Sequence, residues 1–377
     1  MILNEEQAMV RDMARRFASE QLAPQSAAWD ESGEFPRAVI AEMGALGLMG
    51  MLVPEEWGGA MTDTIAYACA LEEIAAGNGA ISTIMSVHNS VGCVPILRFG
   101  TEAQKDEFLR PMAAGGMLGA FCLTEPQAGS DASALRTRAR RTNTGWVLNG
   151  VKQFITSGRN ADVAIVFAVT DPEVGKKGIS AFVVPTHRPG WRVASIERKT
   201  GQHLSDTAQI ALEDLELPAE ALLGAEGEGY RIALSNLEGG RIGIAAQSVG
   251  MARAALDAAV AYATERESMG KRLIDHQAVA FRLADMATQV EAGRQMVLHA
   301  AALKDNGRNA LQAASMAKLF ASEMAEKVAS AAIQTFGGYG YTRDYPVERI
   351  WRDVRVCQIY EGTSDIQRLV IARALAG

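Results

Sequence analysis

Cysteine and histidine are scarce in this 377-residue chain, and their few positions exclude several chemistries at once. The four cysteines, Cys69, Cys93, Cys122 and Cys357, form no C-x-x-C pair, so neither a zinc site nor a disulfide framework is indicated. The five histidines, His88, His187, His203, His276 and His299, show no ligand spacing. H-E-x-x-H, G-x-S-x-G and G-x-x-x-x-G-K-[ST] are absent, which leaves a metal or serine-hydrolase mechanism without support. The net charge of −7 comes with no basic block, so a phosphate-tracking surface for nucleic acid is not expected. No uninterrupted apolar stretch reaches the ~20 residues that span a bilayer. The opening "MILNEEQAMVRDMARRF" carries acids and no apolar core of a secretory signal, so the expectation is a cytoplasmic protein with no membrane span. The glycine clusters "GAEGEG" and "FGGYGY" do not follow a strand and open a helix, which argues against a dinucleotide fold for NAD.

What is present is a folding composition: 48% hydrophobic and 21% charged residues, in a chain long enough for two or three packed units. From Asn4 to about residue 112 apolar residues recur at helical spacing, broken by "VPEEWGGA"; Asn4 with Gln7 has the pattern of a reciprocal helix cap, and a short helix is expected after Thr101. Residues 113–225 change character. "GWVLNGVKQFITSG" reads as two strands joined by a hairpin turn at Asn149-Gly150, and "ADVAIVFAVT", "GISAFVVPT", "WRVASIE" and "DTAQIALEDLEL" follow without helical crossovers. An antiparallel β-barrel is therefore expected there. Residues 226–377 return to long Ala-rich helical segments, predicting a helical bundle that ends in a helix with Ser364 and Gln367 in capping positions. The fold class is α+β, ordered as a helical domain (1–112), a β-barrel domain (113–225) and a helical bundle (226–377).

Two loops carry hydroxyls and irregular backbone where zones meet: "FCLTEPQAGSD" (121–131), and "QFITSG", which brings Phe154, Thr156 and Ser157 together. Taken alone, composition favours a plain connecting turn for the first, and the second is equally compatible with either reading. Near the end, "CQIYEGTSDIQR" places Glu361 beside an aromatic ring and a Gly-Thr-Ser turn. By itself, Glu361 there is an acid at a helix entry, stabilised by the helix dipole.

In order along the chain, "VPEEWGGA", "CLTEPQAGSD", "VLNGVKQFITSG", "RESMGKRLIDHQ", "QTFGGYGYTRDYPVERIWRD" and "QIYEGTSDIQRLVIAR" resemble the successive motifs of the acyl-CoA dehydrogenase family, most of all its short-chain, butyryl-CoA dehydrogenase-like branch. The resemblance covers nearly the whole chain. It implies FAD held by Phe121, Leu123, Thr124, Ser130, Phe154 and Thr156, with Thr363 and Asp365 at the start of the last helix. Arg266, Gln277, Gln334, Gly337 and Gly338 match positions that reach the FAD of a neighbouring subunit, so a homotetramer, a dimer of dimers, is expected. Ser130, Glu238, Arg241, Tyr360 and Gly362 match positions around the acyl-CoA substrate. The sequence departs from the pattern at Phe154, where relatives usually carry Trp, and at Met269, where they usually carry Phe. Both replacements reduce stacking area.

The resemblance further implies that Glu361 removes the α-proton of a thioester as a β-hydride passes to the flavin, giving a trans-2-enoyl-CoA, with electrons handed to an electron-transferring flavoprotein. Its backbone N–H would bond the thioester carbonyl. Branches with a base elsewhere place it at the position held here by Gly240, which has no side chain to compete. The short-chain motifs point to C4–C6 straight or 2-methyl-branched acyl groups. An oxidase of the same fold, passing electrons to oxygen, and a non-catalytic helical scaffold without flavin are the alternatives.

Overall fold

A computed structural model describes residues 1–376, with the side chains of Leu237 and Glu238 outside the description. Helix α1 (Glu5–Phe17) opens on the expected reciprocal cap: Gln7 N donates to Asn4 Oδ1 at 2.8 Å, and Asn4 N donates to Gln7 Oε1 at 3.0 Å. Thr101 and Gln104 repeat the device at the expected short helix. Helices α2 (Thr64–Gly77) and α3 (Gly79–Val87) are buried on almost every side, as apolar all-round helices must be. The helical run Gly79–Phe99 has the length and mean hydropathy, 1.4, of a membrane span, yet 89% of it is buried inside the protein. It is the core helix of the N-terminal layer.

The strands of the middle sheet are β1 (Gly119–Cys122), β2 (Arg138–Arg141), β3 (Gly145–Thr156), β4 (Val163–Val169), β5 (Ile179–Pro185), β6 (Trp191–Ile196), β7 (Thr207–Pro218) and β8 (Leu222–Leu223). Their order is β6-β7-β3-β2-β4-β5-β8, with β1 also on β4. The expected antiparallel barrel is corrected to an open, mixed sheet. β1 runs parallel to β4, pairing Gly119 with Val163, and β2 meets β4 in parallel at Val169. Parallel neighbours need a long crossover, usually a helix; here the antiparallel β2–β3 pair lies between β1 and β4 and supplies it, a route that an absence of helices does not exclude.

Asn149-Gly150 is not a hairpin turn either. It lies inside β3, where the register against β7 slips between Leu148 and Gly150. Asn149 is occupied across the strands: its Nδ2 donates to Asp214 Oδ1 at 3.0 Å, and its Oδ1 accepts from Asp214 N at 2.9 Å. Asp214, at φ +48, is the extra residue of a bulge on β7. A Cβ at Gly150 would run into Thr137, so glycine is needed there for close approach rather than for a turn.

The C-terminal helices are α4 (Gly229–Glu265), α5 (Gln277–Asp305), α6 (Leu311–Phe336), α7 (Pro346–Val354) and α8 (Ser364–Ala376). Small residues allow them to approach: Ala314, Ala317, Ala321 and Ala325 form a buried stripe on α6. Where α4 crosses α2, a Cβ on Gly250 would fall within contact distance of the Glu72 carbonyl oxygen and 2.9 Å from Ala75 Cβ. A charge cluster fastens the same crossing. Arg294 Nη2 reaches Glu72 Oε1 at 2.7 Å, and Arg253 Nη2 reaches Glu73 Oε2 at 2.6 Å.

Gly250→Ala should therefore force α2 and α4 apart, because the obstacle is backbone rather than a movable side chain. Overpacking of this kind costs about 1–3 kcal/mol. Urea unfolding should show a lower midpoint than the parent; an unchanged midpoint would mean that the crossing is looser than described.

Candidate active site

Glu361 lies on the turn that precedes α8, and its backbone is left-handed, at φ +53, followed by Gly362 at φ +86. A non-glycine residue there is uncommon and needs support from its surroundings. The support is visible. Gln367 Nε2 donates to the Glu361 carbonyl at 3.2 Å and to the Gly362 carbonyl at 2.9 Å, and Lys318 Nζ donates to the Gly362 carbonyl at 2.7 Å. Ser364 is not the cap expected from sequence: α8 begins at Ser364, so the cap is one residue earlier, where Thr363 Oγ1 accepts from Ile366 N at 3.3 Å. Gln367 turns back to the Glu361 turn instead of closing a capping box.

The turn delivers the Glu361 carboxylate to a stretch of α4 that carries no side chain. A Cβ on Gly240 would lie 2.7 Å from Glu361 Oε2. Oε2 is buried with no hydrogen-bond partner among the described residues. Burial pushes the carboxyl up to about 7, and the positive charges of Arg241 and Lys318 restrain the rise. Arg241 is itself buried, donating from Nη1 to Ser315 Oγ at 3.3 Å. Tyr360 is turned away from the carboxylate: its phenol donates to Gln247 Oε1 at 2.7 Å, and Gln247 Nε2 continues to Thr83 Oγ1 at 2.5 Å. The Glu238 side chain lies outside the described residues.

The two hydroxyl-bearing loops meet at the end of the sheet, where Gln153 N donates to the Thr124 carbonyl at 2.9 Å. Beneath them is a buried ion pair. Lys152 Nζ contacts Glu125 Oε1 at 2.7 Å and the Leu123 carbonyl at 3.2 Å. Glu125 also accepts from Arg136 N at 2.6 Å and Thr137 N at 3.0 Å. Burial works against ionising Glu125, but Lys152 and these donors overcome it and hold the carboxyl down at about 2. Above the pair, Phe154 sits at an irregularity between Lys152 and Ile155, left-handed at φ +57 and 62% exposed. A bulky aromatic residue held in that conformation with its face open is a strained device for contact. Phe121 instead packs its ring edge-on against Phe167 at 4.9 Å; Thr124 and Thr156 are half-buried, and Ser130 is exposed.

A second region gathers Arg266, Gly337 and Gly338 in a cleft of about 470 Å³ with Tyr262, Phe336 and Tyr339. The Arg266 guanidinium lies 5.7 Å from the Tyr339 ring centre. Gln334 lines a different cleft, with Trp351 and Gln358, while Gln277 is exposed at the first turn of α5 and Asp365 at the first turn of α8. Met269 is 94% exposed.

A planar, acceptor-rich cofactor such as FAD fits the residues present. Phe154 offers an open aromatic face, Gly129, Gly337 and Gly338 have nothing within 4 Å of where a Cβ would stand, and Ser364 Oγ and Gln367 Oε1 are buried without partners among the described residues. Glu125 lies inside the first hydroxyl-bearing loop and Lys152 immediately precedes the second, yet neither stands out as a site residue in the sequence. Nor do Gln247 and Lys318 stand out, the latter signalled only by a lysine interrupting an alanine stripe, while Gln367, expected in a capping box, serves the Glu361 turn instead.

Three family models match along the chain: the acyl-CoA dehydrogenase N-terminal domain over residues 4–116, the middle domain over 120–215 and the C-terminal domain over 227–376. An acyl-CoA dehydrogenase of Bacillus subtilis is 50% identical over 377 residues, covering 100% of both chains. The mitochondrial short-chain specific acyl-CoA dehydrogenase of Bos taurus is 47% identical over 370 residues, which cover 98% of this chain and 90% of that one. The solved butyryl-CoA dehydrogenase of Megasphaera elsdenii superposes with a TM-score of 0.98 at 42% identity, covering 100% of each chain.

Lys152→Met leaves the Glu125 carboxylate buried and without its cation. Breaking a buried pair on one side costs about 3–5 kcal/mol. The expected outcome is a large fall in the urea midpoint together with weakened FAD retention, read from flavin absorbance after gel filtration. A variant as stable as the parent would show that the pair is dispensable.

Proposed function

Because the chain belongs to the acyl-CoA dehydrogenase family, we propose that it α,β-dehydrogenates a short-chain acyl-CoA, C4–C6 and straight or 2-methyl-branched, to the trans-2-enoyl-CoA with Glu361 as base. As a member of that family it is an FAD-dependent oxidoreductase. The observation that carries the assignment of the base is the buried, unpartnered Oε2 of Glu361 against Gly240.

FAD, when bound, supplies the acceptor for the β-hydride. Phe121, Leu123, Thr124, Ser130, Phe154 and Thr156 hold it from the sheet side, with Thr363 and Asp365 at the head of α8. Arg266, Gln277, Gln334, Gly337 and Gly338 serve the cofactor of a neighbouring subunit in a homotetramer, which the largely exposed Met269 and Tyr341 beside that cleft favour. Ser130, Glu238, Arg241 and Gly362 border the thioester and its CoA arm, and Tyr360 forms the wall behind it. The units 1–112, 113–225 and 226–377 are the corresponding domains.

Glu361 takes the α-proton. A carboxylate that titrates near neutrality matches this task, since one held at the usual value of about 4.3 is a weak base. Its own N–H donates to the thioester carbonyl, where negative charge develops as the proton leaves. The bare backbone at Gly239 and Gly240 leaves room for the acyl group beside the base. Electrons then pass to an electron-transferring flavoprotein. Oxidation of the reduced enzyme by air at a catalytic rate would instead identify an oxidase.

Glu361→Gln retains volume and removes basicity, so FAD should stay bound while anaerobic reduction by butyryl-CoA in stopped flow slows by about 10²- to 10⁴-fold. Parental reduction at an unchanged rate would sink the assignment. Gly240→Ala should displace the carboxylate, a movable group, and slow reduction by about 10²-fold without loss of FAD. In the parent the rate should rise with pH through about 7, because only the ionised carboxylate accepts the proton. A panel of thioesters reducing the flavin most rapidly at twelve carbons or more would reject the short-chain assignment.

A further inference from the structure

Lys318 has no part in the dehydrogenation described above, and its position is a costly one. It is fully buried on α6, interrupting the stripe formed by Ala314, Ala317, Ala321 and Ala325. An ammonium group removed from water costs several kcal/mol unless it is bonded or paired. A lysine among alanines in a helix interface therefore needs a compensating task.

Its ammonium donates to the Gly362 carbonyl at 2.7 Å, immediately after Glu361. That carbonyl also accepts from Gln367, so two donors from α6 and α8 converge on a turn whose two residues are both left-handed. The left-handed conformation is strained for a non-glycine residue such as Glu361. Without the donors the Glu361 turn would relax toward ordinary backbone and carry its carboxylate away from Gly240. Among the described residues, the charged and titratable groups that face Glu361 are Arg241 from α4, Lys318 from α6 and the Tyr67 phenol from α2. Those that face Lys318 are Cys357, Glu361 and Arg241. Lys318 is thus a cation that acts on the carboxylate and also bonds the backbone that carries it. Burial pushes the Lys318 amine down to about 8, so it is still mostly charged at neutral pH.

Resting on the assignment of Glu361 as base, we propose that Lys318 is a positioning residue: its ammonium fastens the Gly362 carbonyl to aim Glu361 at the space beside Gly240, and its positive charge favours the carboxylate form. The two contributions separate in a pH profile. Lys318→Met removes both bond and charge, so the acid limb of flavin reduction by butyryl-CoA should move up from about 7 by about one unit. At neutral pH the rate should fall by about tenfold or more, with part of the loss recovered in alkaline buffer. Difference infrared spectroscopy of the FAD-loaded protein gives a direct reading. The protonated-carboxyl band that Glu361→Gln abolishes should persist to higher pH in Lys318→Met.

Lys318→Gln is the smaller replacement, to be read in the same way if the Met variant sheds its flavin. Lys318→Arg, which keeps the charge, should leave the limb near its parental position. A flavin-bearing Met or Gln variant that loses rate equally at every pH, with the infrared titration unmoved, overturns the proposal and leaves Lys318 as packing. Failure of the underlying assignment looks different, because Glu361→Gln would then reduce its flavin at the parental rate.

Discussion

The site is organised around one carboxylate held out of water against a helix that has no side chain at the point of contact. Gly239 and Gly240 each cost helix α4 about 1 kcal/mol relative to alanine, and that cost makes sense only if space is needed. Glu361 uses the space. Its approach requires a left-handed turn, the turn requires donors behind it, and the donors come from Gln367 on α8 and Lys318 on α6. The close packing of α4, α6 and α2 through small residues is what brings these groups within reach of one another. A loosened bundle would lose the geometry before it lost the fold.

Two buried carboxylates in this chain have opposite fates, and their partners decide which. Glu125 is paired with Lys152 and accepts from two backbone N–H groups, so it is held ionised well below the usual range. It is fixed scaffolding for the Leu123–Thr124 loop. Glu361 has charges nearby but no hydrogen bond at Oε2 among the described residues, and burial dominates. The same residue type is a strut in one place and, in the role proposed for Glu361, a base in the other. Environment, rather than identity, separates the two roles.

The order of helices, strands and helices was legible because each periodicity persists over long segments, and the cap at Asn4 and the short helix after Thr101 were legible because they are local. Apart from the cap of the last helix, which falls on Thr363 instead of Ser364, the failures involved partners distant in sequence. Asn149-Gly150 has the composition of a hairpin turn, but Asp214, some sixty residues on, occupies the Asn149 side chain and carries the bulge. The parallel β1–β4 pairing depends on which strand edge is free, a property that no local pattern carries. Glu361 was found through the resemblance of "QIYEGTSDIQR" to a family motif; composition favoured a plain helix-entry acid. Lys318 was invisible because its task lies in a carbonyl 44 residues away.

Tyr360 shows why the base is left without a hydrogen bond. Its phenol is the nearest polar side chain in sequence to Glu361, and a hydrogen bond from it would stabilise the ionised carboxylate and lower its basicity. Instead the phenol donates to Gln247, which is itself fixed by the Gly79 carbonyl at 2.8 Å and by Thr83. Thr83 Oγ1 then reaches Gln202 Oε1 at 2.7 Å, and Gln202 Nε2 donates to the Asp353 carbonyl at 3.1 Å. This chain satisfies the polar groups behind the base among themselves. Glu125 shows what the alternative produces: a carboxylate given its full set of donors titrates too low to take a proton from carbon. The polar network therefore contributes to basicity by withholding a donor, and the unsatisfied oxygen on Glu361 is the consequence.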